Sequence, residues 1–335
     1  MPELCADFWR GRRVFVTGAT GLLGSWLVPA LHALGADVTV LVRDALPRSL
    51  LVRDGWLSRV NVVHGSLTDE HLLRRSFSEY ETQTVYHLGA QTLVGVAKVD
   101  PVSTLEANVR GTWLLLDAAR QAKVDQVIVA SSDKAYGDSD KLPYFEDHPL
   151  RGRFPYDCSK SCTDLITSMF AHTYGLRTVI ARCGNLFGGG DLNLSRLVPG
   201  AILATLRNQR FLIRSDGLFV RDFLYVEDAA LAYLQLAQGL AAEPKLAGEA
   251  FNFGLELRPT MLAITQKVLA LMGRSDLEPV VQNIASAEIR EQTLDASKAR
   301  QLLGWKATFG LDEGLQRTIN WYRRNHDAFA APGAG

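Results

Sequence analysis

Tyr156 and Lys160 stand four residues apart in a run, Pro155–Tyr174, that reads as a helix, so the two side chains share one face. An ammonium beside a phenol favours the phenolate. Lys160 is therefore expected to lower the pKa of Tyr156 towards the operating pH and to make it a base for a hydroxyl proton. Upstream, Ser131-Ser132-Asp133-Lys134-Ala135-Tyr136-Gly137 closes an apolar strand-like run. Ser132 can hold and polarise a substrate oxygen, while Asp133 offers a carboxyl group and Lys134 an amine. That amine acts as a base only where burial or a neighbouring cation depresses its pKa. Near the N-terminus, Thr17-Gly18-Ala19-Thr20-Gly21-Leu22-Leu23-Gly24 joins a strand to a helix. Gly18 permits the tight turn, Gly21 lets a pyrophosphate approach the backbone, and Gly24 lets the helix pack close to the sheet. Y-x-x-x-K alone is common by chance. Placed after a glycine loop and a serine-bearing strand end, it implies hydride transfer to a nicotinamide while Tyr156 takes the hydroxyl proton.

Those residues need a scaffold that brings strand ends and helix starts to one edge. Strand-like apolar runs occur at Arg13–Thr17, Asp37–Val42, 60–64, 84–88, 126–131 and 178–182. Between them lie helical runs at 22–34, 69–77, 102–121 and Pro155–Tyr174. Alternation of this kind predicts βαβ units and a Rossmann-type, doubly wound parallel sheet with helices on both faces, an α/β fold. After residue 183 the rhythm loosens, and Gly188–Gly190 and Pro199 break the pattern. Strand candidates there are 210–214, 219–225, Ala250–Phe253 and 278–282, mixed with helices at 229–238, 261–272 and Leu311–Arg324. The prediction is a dinucleotide-binding domain over 1–185 and a smaller C-terminal α/β substrate lobe over 186–330. The boundary is soft, since pieces of the lobe can interleave with the first domain.

Composition narrows the function classes. Lys and Arg together number 36, as do Asp and Glu, so the net charge is zero and no basic excess points to nucleic acid. Hydrophobic residues make up 47% and charged residues 21%, as in an ordinary globular chain rather than a disordered one. The four cysteines, at 5, 158, 162 and 183, make neither a disulfide framework nor a zinc spacing, so no metal is expected. No run reaches the ~18 apolar residues of a membrane span, and the N-terminus lacks the apolar core of a signal peptide. A cytoplasmic protein without membrane partners is expected.

The G-x-x-G-x-x-G spacing and the set Ser132, Tyr156 and Lys160 resemble the short-chain dehydrogenase/reductase superfamily. The length suits its extended branch, the NAD-dependent epimerase/dehydratase family, whose C-terminal lobe holds a nucleotide sugar. The resemblance extends over about residues 9–325. It implies a tightly bound NAD(P) held by Gly18, Thr20, Gly21, Leu22, Leu23 and Gly24, by Leu88 and Ala90 after the fourth strand, and by Tyr156 and Lys160. Ser66 and Leu67 stand where the family often has an Asp on the adenine. Where an acid would favour NAD the chain has Val42. Arg43, which follows it, can pair with a 2′-phosphate, and Asp44 can serve the ribose, so the reading leans slightly to NADP. Asn108 matches a structural Asn of the family.

On the substrate side the resemblance implies a nucleotide diphosphate hexose. Its contacts would be Gln91, Asn185, Arg196 and Val198, with Arg221 neutralising the diphosphate and Arg290 a second candidate. Asp222 and Asp228 read as fixing local structure, and Leu303-Gly304-Trp305 as packing. Dehydratases of the branch place an acid and a base directly after the triad Ser/Thr. Here that pair is Asp133-Lys134. Both S-D-K-x-Y and the stretch Arg182-Cys183-Gly184-Asn185-Leu186-Phe187-Gly188-Gly189-Gly190-Asp191 resemble the CDP-glucose type of 4,6-dehydratase. The resemblance makes Asp133 the acid for the departing C6 hydroxyl and Lys134 the base for the C5 proton. The leading reading is a nucleotide-sugar 4,6-dehydratase. A 4-epimerase using the same triad is the alternative, with a 4-reductase and a non-catalytic dinucleotide sensor behind it. Relatives pair through helices near 102–121 and 155–174, which implies a homodimer.

Overall fold

A computed structural model describes residues 4–44, 46–284 and 288–329. Seven strands form the central sheet: β1 Arg13–Thr17, β2 Asp37–Val42, β3 Asn61–His64, β4 Thr84–His87, β5 Gln126–Ala130, β6 Thr178–Cys183 and β7 Ala250–Phe253. Their spatial order is β7-β6-β5-β4-β1-β2-β3, and every pairing is parallel. The direction of winding reverses between β1 and β4. A crevice opens there beyond the carboxyl ends of the strands, the place where such sheets bind ligands.

Period-two alternation builds both layers. Val14 and Val16 of β1 and Ile128 of β5 join one hydrophobic cluster, with Leu27, Val28 and Leu236 from helices Leu22–Ala33 and Val226–Ala242. Phe15 of β1 and Val127 and Val129 of β5 join the other, with Phe77, Leu115 and Phe170 from helices Glu70–Glu79, Gly111–Gln121 and Pro155–Tyr174. Burial on both faces explains why these strands read as nearly continuous apolar runs.

Three local differences from the sequence reading have physical causes. The run 102–121 is not one regular helix. It is Pro101–Leu105, a π-helical turn Glu106–Arg110, and then Gly111–Gln121. The turn carries the buried Asn108 and re-aims its side chain. Pro199 does not break the chain. It is the third residue of helix Leu197–Leu206, where the proline's missing N–H would have had no intrahelical acceptor. The run 219–225 is two short strands, Val220–Arg221 and Phe223–Tyr225, interrupted at Asp222. The fully buried Asp222 carboxylate accepts N–H bonds from Phe223 at 2.9 Å, Leu255 at 3.0 Å and Glu256 at 3.1 Å. Strand β7, from the C-terminal half, returns to the main sheet beside β6.

A hydrogen-bond relay ties the glycine turn to the start of helix Pro155–Tyr174. Gly89 N–H donates to Thr17 Oγ1 at 3.0 Å. The Thr112 hydroxyl donates to the Asn108 carbonyl, so Thr112 Oγ1 accepts from His87 Nε2 at 3.0 Å; His87 therefore carries its proton on Nε2, and its Nδ1 accepts from the Thr17 hydroxyl, also at 3.0 Å. The Asn108 side chain clamps the Gln91 backbone at 2.7 and 3.0 Å and donates to Ser159 Oγ at 2.9 Å. Ser159 in turn donates to the Tyr156 carbonyl at 2.7 Å.

Burial, reinforced by the Lys160 charge, pushes His87 down to about 3. The folded protein therefore resists protonating a group that the unfolded chain protonates near pH 6.5. Stability from neutral His87 is complete above that pH and is lost as pH falls towards 3. Urea unfolding of wild type and His87→Gln between pH 7.5 and 4.5 checks this. The stability difference between them should shrink by up to ~1.4 kcal/mol per pH unit below pH 6. A difference independent of pH contradicts the relay.

Candidate functional site

The glycine turn is built for close approach. Gly18 has φ +68°, and a Cβ there would lie 2.6 Å from Gly89 N. A Cβ on Gly24 would lie 2.4 Å from Gly18 O. Gly21 is exposed, and its Cβ would meet only Gly18 O, at 3.2 Å. It precedes helix Leu22–Ala33, whose N-terminus has no side-chain cap. Uncapped amides above a cradle with no Cβ suit a dinucleotide diphosphate. Thr20, Leu22 and Leu23 line the same turn. Leu67 packs against Gly89 and Gly111, where Cβ atoms would come within 3.0 Å of it. Leu88 and Ala90 flank Gly89, half-buried.

At the far end of the crevice Arg43 is exposed and held by Asp44, with Nε and Nη2 at 2.7 and 2.6 Å from Oδ2. Ser66 Oγ is engaged with Thr68 Oγ1 at 2.9 Å.

Ser132, Asp133, Lys134, Tyr156 and Lys160 converge beyond the ends of β5 and β6. The Ser132 hydroxyl donates to Asp133 Oδ1 at 2.9 Å and accepts the Lys134 N–H at 3.2 Å, capping the single turn Asp133–Tyr136. Asp133 is buried and its Oδ2 has no partner. Burial pushes its carboxyl up, against the pull of Lys134. Lys134 Nζ donates to Gln292 Oε1 at 2.7 Å. Burial pushes this amine down and the nearby Arg221 guanidinium adds to it, while Asp133, Asp157 and Glu288 oppose. Both conditions required of a lysine base are thus present.

Tyr156 corrects an expectation. Its phenol is pushed up, not down, because burial outweighs the opposing charge of Arg196 and a hydrogen bond with Ser132. Lys160 Nζ donates to the Ala130 carbonyl at 2.8 Å and lies 6.0 Å from the Tyr156 ring centre. Burial lowers Lys160 to about 8.

The substrate-side residues divide. Arg221 is buried, donates to the carbonyls of Val220 and Arg290 at 2.8 and 3.2 Å, and faces Glu288 at 3.6 Å. The Arg290 side chain is exposed, with Asp216 3.6 Å away, so only its carbonyl joins the cluster. Arg196 is paired with Asp191 at 3.0 Å. Val198 is buried in the core and Asn185 is half-buried on strand Asn185–Phe187. The Gln91 amide is committed to Thr104 Oγ1 and the Leu93 carbonyl, at 3.0 and 3.1 Å. Asp157, Glu288 and Gln292 join the Lys134 cluster without having been singled out from the sequence. Asp157 is buried and pushed up to about 6, chiefly by that burial. Its place next to Tyr156 was the one available signal.

A family model described as the NAD dependent epimerase/dehydratase family matches residues 14–254. The chain belongs to that family. Among family relatives, the CDP-glucose 4,6-dehydratase of Salmonella typhimurium is 33% identical, over 95% of this chain and 92% of its own length. A dTDP-glucose 4,6-dehydratase of Streptomyces venezuelae, solved with NAD bound, superposes with a TM-score of 0.86 at 29% identity, covering 94% of this chain and 98% of that one. A UDP-glucose 4-epimerase of Thermotoga maritima, solved with UDP-glucose, also gives 0.86, at 28% identity over 94% and 99%.

The family loop 131–136 is braced from below. Arg182 pairs with Asp164 at 2.7 Å, both buried, and donates to Tyr136 Oη at 2.8 Å, while Ser131 donates to Asp164. Asp164→Asn leaves the guanidinium buried without its counter-charge. It should cost ~3 kcal/mol in urea unfolding, and a loss below ~0.5 kcal/mol would contradict the bracing role.

Proposed function

We propose that the protein is a nucleotide-sugar 4,6-dehydratase acting on a nucleotide diphosphate hexose. The observation that carries this reading is Lys134: an amine desolvated beside a second cation, adjacent to a carboxyl group that burial favours in its protonated form. A bound nicotinamide would supply hydride acceptance from C4 and return to C6. Burial alone keeps the Tyr156 phenol protonated, so the positive charge of a bound oxidised nicotinamide, added to that of Lys160, would be what favours the phenolate; in that form Tyr156 accepts the C4 hydroxyl proton, and Ser132 holds that oxygen. Lys134 takes the C5 proton. Asp133 protonates the C6 hydroxyl, which leaves as water. Lys134 then gives its proton back to C5 as C6 is reduced. The proton gained at Tyr156 equals the one spent by Asp133, so the overall change is the loss of one water.

The cradle Gly18, Gly21 and Gly24, with Leu88, Ala90 and Lys160, would hold NAD(P) tightly, as a redox-neutral cycle requires. Arg43 favours NADP slightly. Its Asp44 partner competes with a 2′-phosphate and could accept a ribose hydroxyl instead. Arg221, Arg196 and Asn185 are assigned to the diphosphate and sugar. A homodimer through the helices near 102–121 and 155–174 is supported by Val102, Leu105, Trp113, Leu165 and Met169, which lie exposed there. No helix among the described residues is long and apolar enough to cross a membrane. The four cysteines are free thiols, which supports a cytoplasmic location. A 4-epimerase would use the same triad and leave Asp133 and Lys134 idle; the likeness to the Thermotoga maritima 4-epimerase keeps it as the second reading.

Incubation with CDP-, GDP-, dTDP- and UDP-hexoses without added reductant tests this. The expected product absorbs as a 4-ketosugar in alkali and is lighter by one water. Lys134→Ala should abolish water loss and still permit nicotinamide reduction. An isomer of unchanged mass supports epimerisation instead, and normal dehydration by the variant removes Lys134 from its role.

A further inference from the structure

We infer that Gln292 is a positioning residue for the elimination: its side-chain carbonyl holds one N–H of Lys134 and aims the amine's lone pair, and its neutrality leaves that amine free to accept a proton. The inference rests on the dehydratase reading and adds to it a residue from a distant part of the chain.

Gln292 is wholly buried. It lies on the two-residue strand Glu291–Gln292, which pairs in parallel with Val220–Arg221 and sets Gln292 opposite Arg221. Asp222 N–H donates to the Gln292 carbonyl at 3.0 Å. On the other side, Tyr144 N–H donates to the Thr293 carbonyl at 2.8 Å and accepts the Asp295 N–H on its own carbonyl at 2.9 Å. The backbone is thus clamped from two directions, and the side chain delivers Oε1 to Lys134 Nζ at 2.7 Å. Fixing one N–H of an amine restricts rotation about its Cε–Nζ bond and leaves the lone pair one of the two remaining staggered positions.

The charges facing Lys134 make neutrality matter. Arg221 disfavours the ammonium, while Asp133, Asp157 and Glu288 favour it. A further carboxylate in direct hydrogen-bond contact would lock the amine as an ammonium, because charge-assisted bonds are the stronger kind. An amide carbonyl accepts from amine and ammonium alike. Gln292 Nε2 and Asp133 Oδ2, on the two side chains that flank Lys134, are buried without partners, so the cluster holds polar atoms that its own packing leaves unsatisfied.

The test compares wild type, Gln292→Glu and Gln292→Met, each purified with its cofactor. Competitive acetylation read by mass spectrometry at Lys134 gives the amine's titration without turnover. Single-turnover nicotinamide reduction reads C4 oxidation, and mass loss reads elimination across pH. In Gln292→Glu the Lys134 titration and the acid limb of elimination should both rise by about one pH unit or more. Elimination should then slow about tenfold or more at neutral pH, with oxidation changed less than about threefold. In Gln292→Met the titration should not rise, and elimination should slow while oxidation persists. Equal loss of both steps in both variants, or a Lys134 titration unmoved by Gln292→Glu, overturns the inference. If Gln292→Glu does not fold, the split between oxidation and elimination in Gln292→Met decides. A wild type that dehydrates no sugar nucleotide contradicts the functional reading instead, and the acetylation result still decides whether Gln292 governs Lys134.

Discussion

A lysine can take a proton from carbon only if it is neutral when the substrate arrives. Everything distinctive about this site follows from that constraint. Water stabilises an ammonium strongly, so the amine has to be desolvated and denied a dominant counter-charge. Here Lys134 is half-buried, with the Arg221 guanidinium nearby and an amide as its hydrogen-bond partner. The carboxyl group beside it, Asp133, is itself driven towards its protonated form. The same burial thus disfavours the charged form of both groups, which is what the proposed roles of Lys134 as base and Asp133 as acid require.

Such a cluster is costly to hold, and the surrounding structure is organised to hold it. The relay Thr17–His87–Thr112–Asn108–Ser159 links the glycine turn to the start of helix Pro155–Tyr174 and so fixes Tyr156 relative to that turn. The Arg182–Asp164 pair braces the loop carrying Ser132–Lys134 from the sheet side. Asp222 gathers backbone amides from three segments and fixes the short strand that bears Arg221. Buried charges serve here less as a source of stability than as a means of setting one geometry.

Much of this was legible in the sequence. The strands β1, β2, β4, β5 and β6 were readable because burial on both faces makes their apolar runs dense, and the glycine turn because its sterics tolerate no Cβ at Gly18 or Gly24. That Ser132, Tyr156 and Lys160 come together was readable from order and helical spacing. What was not legible depends on long-range pairing. Nothing in Glu291–Gln292 signals that it will lie beside Val220–Arg221, so Gln292 and Glu288 stayed hidden. Arg290 stood as a second candidate beside Arg221 until the fold put one side chain inside and the other outside. The direction of the Tyr156 shift was misread because the i,i+4 argument supplies a charge but not a depth of burial. Pro199 was misread because a helix's first turn tolerates what its middle does not.

The central claim, that water is eliminated between an internal oxidation and its reversal, is tested most directly by isotope position. A nucleotide hexose deuterated at C4 is converted in ordinary water, the product is trapped at once by borohydride, and it is read by NMR and mass spectrometry. The account predicts that the deuterium is found at C6 of a product lighter by one water. Deuterium retained at C4 of a product that has lost no water, or washed out altogether, would contradict it.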